Sequence, residues 1–572
     1  MPLPLTVQGA VKLFYWEESL EENAKAILEE QKQEEQFSAI IVSCKSLSYY
    51  EGKKFKAVLP QILAVAIAAT FHIVVGMSLA YSAILLPQLE ESQNVTGSIQ
   101  VTKTEGSWIA SVLVIFTPAG ALVAGVIMDA IGRLNMLKLA SIPCVLGNVL
   151  IAMATNVPMI LSGRILLGIG SAWATSPAIV YITEIAKADL RGSLISMAPG
   201  FASLGMVLVY LKGWFLDWRL VAWLTNIYVV VPAILIMFIP ESPAWLVSKG
   251  RIEQARKSLE WINRFQPQPE HKSESFAEMQ LAYLQKEHMI KKEQEAQSLG
   301  GNGVLRKLKM FARPTACKPL VILTGLFFFQ QFSGIYITLF YAVTFFKDIG
   351  STINPYLASV FIGTVRFVMS IANTWFMRRF RRRTLIAVSC AGMAVCMCVS
   401  ALFTKWIQDR TTTHTWVPVL MLLLYVVASM LGLLSIPWTM TAELFPLEIR
   451  GVAHSISYSL AQLLMFASIQ CYYDLTNLVG GSSGLQYFFA AVSLGALLYS
   501  FIFLPETHRK KLKDIEAYFV DNTAYYSLTC CKPKSNAADN RQRKPIVRNP
   551  RVASKHAKMP KGEIEKILLS RA

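Results

Sequence analysis

Apolar residues fall along this chain in twelve long runs, each near the roughly 20 residues that a helix needs to cross the hydrocarbon core of a bilayer. They cover Ala57–Leu86, Trp108–Met128, Met136–Ala154, Pro158–Tyr181, Ser193–Phe215, Val221–Ile239, Pro319–Phe346, Tyr356–Met377, Leu385–Phe403, Trp416–Met440, Ala453–Tyr473 and Leu485–Leu504. Runs of this length predict helices rather than strands. Hydrophobic residues make up 53% of the 572 residues and charged ones only 16%. A single soluble domain of that composition would expose very large apolar patches, so the pattern predicts an all-α, multi-pass membrane protein.

Charge between the runs sets an orientation. The connections after the second, fourth, sixth, eighth and tenth runs carry Arg133, Arg191, a long Lys/Arg-rich segment, the cluster Arg378, Arg379, Arg381, Arg382 and Arg383, and Arg450. Positive loops stay on the cytoplasmic side, which puts both termini inside the cell; the expected location is the plasma membrane. The residues ahead of Ala57 are polar and read as a cytoplasmic tail rather than a cleaved leader. The first loop carries Glu90, Glu91, Glu105 and the sequon Asn94-Val95-Thr96, as expected of an outer face with Asn94 open to glycosylation. Most of the net charge of +18 lies in the inner loops and the basic tail, where it meets anionic headgroups, so nucleic acid is not an expected partner. Nine cysteines, mostly within spans or on the reducing side, give no disulfide framework; Cys530 and Cys531 are acylation candidates.

The chain repeats itself. "EIAKADLRG" from Glu184 and "ELFPLEIRG" from Glu443 are 259 residues apart, and "PESP" at Pro240 and "PETH" at Pro505 are 265 apart. Each pair occupies the same place in its group of six runs, which implies two homologous six-helix halves. The expected organisation is a cytoplasmic N-terminal tail over 1–56, a first half over 57–239, a linker over 240–318, a second half over 319–504 and a basic cytoplasmic tail over 505–572. In the linker, Ile252, Ala255, Leu259 and Ile262 share one face of an amphipathic helix.

Polar residues inside the runs are the candidate chemistry. In "FFFQQFSGIYITLFY" an unbroken helix at 100° per residue puts Gln330, Ser333, Ile337 and Tyr341 on one stripe, with Gln331, Gly334 and Thr338 beside it. Lipid offers an amide no partner, so this arc predicts either a polar cavity between the halves or hydrogen bonds that bridge helices. Paired amides both donate and accept, which suits a hydroxyl-rich ligand. Trp438 offers an apolar face and an N–H, and is alternatively a core aromatic beside the Pro437 kink. Arg366 lies mid-run with no carboxylate inside any run to pair with it. At the inner ends, Arg133, Glu184, Arg191, Glu241, Arg382, Glu443, Arg450 and Glu506 recur in equivalent places in both halves. They are expected to pair across the interface between halves and hold an inner gate. No phosphate-binding loop, cofactor motif or metal-ligand cluster accompanies them, and no enzymatic chemistry is expected. The first run has no carboxylate, and His72 is its one group that ordinarily titrates near neutral pH.

Seven motifs in order carry a resemblance: "GVIMDAIGR", "GRILLGIGSAWATSPAIVYITEIAKADLRG", "PESPAWL", "QQFSGIYITLFY", "RRFRRRTL", "IPWTMTAELFPLEIRG" and "LPETHRKKLKDIE". Over roughly 56–515 the chain resembles the sugar porters of the major facilitator superfamily, and among them the arthropod facilitated trehalose transporter-like members. The resemblance implies the major facilitator fold and uniport of a sugar such as trehalose or a hexose by alternating access. It implies a substrate site that includes Gln330, Gln331, Tyr336, Tyr341, Arg366 and Trp438. Against the family pattern, Pro199 stands for a glutamine, Tyr336 and Arg366 for asparagines, and Ala461 and Gln462 for an asparagine and a tryptophan. Arg378 replaces an acidic residue, and Ala244 replaces the arginine of the sixth-span motif. Two alternatives stay open: a transporter-like sensor or scaffold with unknown partners for its tails, and a carrier of an acidic metabolite that uses Arg366.

Overall fold

The computed structural model describes residues 55–92, 99–266, 275–298, 314–445, 449–507 and 518–519. Twelve helical spans are long and apolar enough to cross a membrane, and no strand occurs among the described residues. They are Lys56–Ser92, Lys103–Ile131, Arg133–Ala152, Val157–Ile185, Leu190–Phe215, Trp218–Phe238, Thr315–Phe340, Pro355–Arg379, Arg382–Gln408, Val417–Thr441, Val452–Gln470 and Ser482–Phe503, here spans one to twelve. Spans and linker belong to one compact unit, Gly52–Tyr526.

Local chemistry sets the span ends. Span two opens on a capping box: Thr102 Oγ1 accepts the Glu105 N–H at 3.2 Å, and Glu105 Oε2 accepts the Thr102 N–H at 2.8 Å. Asn156 caps span four and Asn354 caps span eight, each followed by a proline in the first turn, where a missing N–H costs nothing. Gly132, at φ +106°, ends span two and turns the chain directly into span three.

Five spans are broken rather than continuous, span five at Ser196 and span six at Asn226 among them. In span one the helix is interrupted at Thr70 and Tyr81. Span seven runs as a helix to Phe332, passes through a turn at 333–336 and resumes at Ile337–Phe340; a separate helix, Ala342–Ile349, follows it. Span ten stops at Leu431 and resumes at Ile436. Each break frees backbone carbonyls within an apolar span, where lipid offers no partner.

In the linker, helices Pro243–Ser248, Ile252–Asn263 and Phe276–Ser298 pack together through Trp245, Leu246, Ala255, Leu259, Ala277 and Leu281. Ala255, Leu259 and Ile262 are buried and Ile252 is half-buried, on the face expected from their spacing. Ile262 joins a core of the first half that includes Ala64, Leu137 and Tyr181, so the linker is docked rather than free.

Candidate functional site

The breaks in spans seven and ten face each other and satisfy one another. Gln330 is fully buried, and its Nε2 donates to the Leu433 and Leu434 carbonyls of the span-ten break at 2.8 and 2.9 Å. In return, Tyr425 of span ten donates its hydroxyl to the Ser333 carbonyl of the span-seven break at 2.8 Å. Ser389 of span nine accepts the Leu433 N–H at 3.0 Å. Gln330 therefore holds two helices together through its amide N–H groups.

Its neighbour Gln331 differs. The Gln331 Nε2 donates to Gln330 Oε1 at 3.2 Å, but its own Oε1 is buried without a partner among the described residues. Arg366 of span eight is also buried, and its Nε lacks a partner among the described residues. Its neighbours are the phenols of Tyr336, Tyr210 and Tyr425, with no ion pair to it among the described residues. Trp438 is half-buried; it packs on Phe327 at 4.8 Å and Tyr458 at 5.9 Å between ring centroids, and its indole is within hydrogen-bonding reach of the Tyr336 hydroxyl. Tyr458 reaches Gln462, whose Oε1 is another buried oxygen without a partner. Tyr336, Arg366 and Trp438 thus belong to one polar neighbourhood of phenol, guanidinium and indole groups, while Gln331 lies beside the span-seven break with its own oxygen unused. Such groups bind hydroxyls reversibly by donating and accepting hydrogen bonds.

Tyr341 lies elsewhere. The expected stripe assumed a continuous helix, but the turn at 333–336, with Gly334 at φ +93°, rotates everything after it. Tyr341 is fully buried, stacked on Tyr472 at 4.2 Å, and donates to the Ile469 carbonyl at 3.2 Å. It belongs to the contacts that join the halves at the end bearing the first loop. There Ser82 donates to the Phe340 carbonyl at 3.0 Å, Tyr210 to the Leu339 carbonyl at 2.8 Å and Ser111 to Gln470 Oε1 at 2.6 Å; Lys347 pairs with Glu91 at 2.5 Å. This end of the interface is closed.

The repeated charges form two matching sets at the opposite end. Arg133 binds Glu184 through Nη2 at 2.9 Å and through Nε, and also reaches Asp129 at 3.1 Å. Glu241 accepts the N–H groups of Arg133, Leu134 and Ser242, which start span three and the linker. In the second half Arg382 pairs with Glu443 at 3.1 Å, and Glu506 accepts the N–H groups of Arg382 and Arg383. Burial pushes the Glu241 carboxyl above its ordinary range, while those backbone N–H groups and Arg133 pull it back.

These pairings lie within each half, not across the interface as expected. The reason is local: each arginine and carboxylate sits at the start or end of helices of its own half, where orphan N–H groups compete for the carboxylate oxygens. Across the interface at this end, Arg378 donates to Ser193 Oγ at 2.6 Å. Arg191 is exposed and makes no side-chain pairing among the described residues. The Arg450 side chain and Asn94 lie outside the described residues.

Sequence reasoning passed over Tyr210, Tyr425 and Arg164. Arg164 is fully buried in span four and donates to the carbonyls of Ser78, Ile109 and Ala110 at 2.5, 2.9 and 3.3 Å, tying spans one, two and four. The available signal was a lone phenol or guanidinium in the middle of an apolar run, since each must find an acceptor in the bundle.

Comparison with known proteins agrees with this architecture. Residues 64–519 match the family model "Sugar (and other) transporter". The chain is 32% identical over 466 residues to a facilitated trehalose transporter of Apis mellifera ligustica, covering 80% of this chain and 88% of that protein. It is 31% identical to a facilitated trehalose transporter homolog of Drosophila sechellia, covering 85% and 96%. Among solved structures, the proton:xylose symporter XylE aligns with a TM-score of 0.61 at 24% identity, covering 80% of this chain and 99% of that one. Its inward-open form from E. coli aligns with a TM-score of 0.63 at 22% identity. With the family model matched over 64–519 and the fold shared with XylE, the chain belongs to the sugar transporter family.

Proposed function

We propose that the chain carries a neutral sugar, trehalose or a hexose, across the plasma membrane by facilitated, alternating-access transport. One observation carries the reading. Gln331 Oε1 beside the span-seven break, and Arg366 Nε of span eight beside the Tyr336–Trp438 pair, are buried without partners among the described residues, in a family whose named relatives move trehalose. Both termini and the linker are assigned to the cytoplasm and Asn94 to the outer face, on the distribution of basic residues. Gln331, Tyr336, Arg366 and Trp438 contact the sugar, Gln330 braces the site, and Tyr341 belongs to the outer closure. The sets Arg133–Glu184–Glu241 and Arg382–Glu443–Glu506 stiffen the inner end of each half, and Arg191 and Arg450 complete that charged rim. Transport is uncoupled from protons because the first span offers no carboxylate between Ala57 and Leu86 to carry one.

Arg366 favours a second reading, an acidic sugar, because a buried guanidinium with no carboxylate partner is matched best by an anionic ligand. Competitive uptake into liposomes decides between them, with trehalose, glucose and glucuronate offered to wild type and Arg366→Asn. We expect saturable trehalose or glucose uptake that a protonophore leaves unchanged and that Arg366→Asn retains. Glucuronate uptake alone, lost in Arg366→Asn, establishes the acidic-sugar carrier. Saturable binding without uptake establishes a sensor.

A further inference from the structure

At the end bearing the repeated charges, span three, span six and the linker enclose a pocket of about 160 Å³. Asn135 and Lys138 line it from the first turns of span three, Met237 from the end of span six, and Trp245, Arg251 and Gln254 from the linker. Two cations dominate its rim. The Lys138 ammonium, 3.3 Å from Asn135 Oδ1, keeps further donor capacity, and the Arg251 guanidinium lies 5.6 Å over the Trp245 ring. That ring is itself fixed, because its N–H donates to the Asp129 carbonyl at 3.0 Å. Glu241 also lines the pocket, but both its oxygens already accept backbone N–H groups at the start of span three, so its charge is turned toward the protein. What remains is a small polar recess with a net positive rim.

The recess opens beside exposed apolar surface. Met237 and the adjacent Phe238 are 68% and 73% exposed at the last turn of a membrane span, the depth at which acyl chains begin below their headgroups. A soluble anion would use only the cations. A phospholipid would use the cations, the ring edge and the apolar flank together. We propose that this pocket holds the phosphate of an anionic phospholipid headgroup, with Lys138 and Arg251 on the phosphate and the chains along Met237 and Phe238. Bound there, the lipid bridges span three, span six and the linker, and holds the linker on the first half. The proposal is independent of which sugar the chain carries.

Native mass spectrometry of the full chain in detergent, titrated with phosphatidylglycerol and with phosphatidylcholine of the same chains, tests it. We expect phosphatidylglycerol to bind at least about tenfold more tightly, the scale of two juxtamembrane cations. K138Q/R251Q should lose that preference and K138R/R251K should keep it. K257Q/K292Q, which removes the same charge from exposed linker positions outside the pocket, should also keep it. Equal binding of the two lipids, or an equal loss in K257Q/K292Q, overturns the site. Displacement of the lipid by inorganic phosphate or chain-free glycerophosphoglycerol at lipid-like concentrations shows a soluble-phosphate site and overturns the lipid assignment. A photoactivatable phosphatidylglycerol on wild type provides a measurement that needs no variant. Cross-links within 134–138 and 236–254 support the pocket, and cross-links confined to other spans refute it.

Discussion

The two adjacent glutamines do different work, which a pair of single substitutions can separate. Gln330→Leu removes the donor to the Leu433 and Leu434 carbonyls. Losing a partner for buried carbonyls costs about 1–3 kcal/mol, so we expect a lower unfolding temperature together with lost transport. Gln331→Leu removes an amide whose oxygen the fold does not use. Because its N–H also donates to buried Gln330 Oε1 at 3.2 Å, we expect a smaller fall in unfolding temperature than in Gln330→Leu, while sugar binding weakens about tenfold, the scale of one hydrogen bond at about 1.4 kcal/mol. Thermal unfolding in detergent and equilibrium binding read the two effects separately. Equal loss of stability in both variants would falsify the division of labour.

Span seven shows how an element becomes a site. Gly334 takes φ +93°, a conformation that side chains rarely adopt, and a Cβ there would sit 2.5 Å from the Phe489 ring. Gly334→Ala should therefore cost about 2 kcal/mol or more by straining the turn and pushing Phe489, and uptake should fall with it. Thermal unfolding checks the first part, and an unchanged midpoint means that the turn relaxes freely. This break also marks the limit of what the sequence made legible. Span positions, the duplication and the linker face were readable because bilayer thickness and helical periodicity act on every residue of a run in the same way. The stripe from Gln330 to Tyr341 was misplaced because periodicity assumes a continuous helix, whereas the turn at Gly334 re-aims each later side chain. The cross-interface pairing expected of Glu184 and Glu443 failed for a related reason: charge pattern places groups at a helix end, but which orphan N–H or guanidinium they meet is a tertiary fact. Tyr425 and Arg164 were missed because one polar atom in an apolar run does not reveal which helix supplies its acceptor.

For the molecule as a whole, the halves meet tightly at the first-loop end, and a titratable group sits in that closure. Asp348 accepts the Tyr472 hydroxyl at 3.2 Å beside the Tyr341–Tyr472 stack, and it is faced by Lys103, Lys347 and Glu90. Burial raises its pKa above the ordinary carboxylate value, more than the Tyr472 hydrogen bond and the two lysines lower it. Opening this end would admit water and return the group toward its ordinary value of about 3.9. The closed form then binds the proton more tightly than the open form. Its extra stability is fully present below the ordinary value and is lost as pH rises through the raised one. A cysteine at buried Ser107, which contacts the Tyr341 hydroxyl, reports the opening in a background where exposed Cys471 is replaced by serine. We expect an impermeant thiol reagent to label Ser107→Cys faster as pH rises from the acid side, and Asp348→Asn to flatten that rise when both proteins are compared at each pH so that the reagent's own pH response cancels. Labelling that keeps its full pH dependence in Asp348→Asn assigns the proton to another group of the closure, with Glu90, hydrogen-bonded to Tyr473 at 3.4 Å, as the next carboxylate to replace.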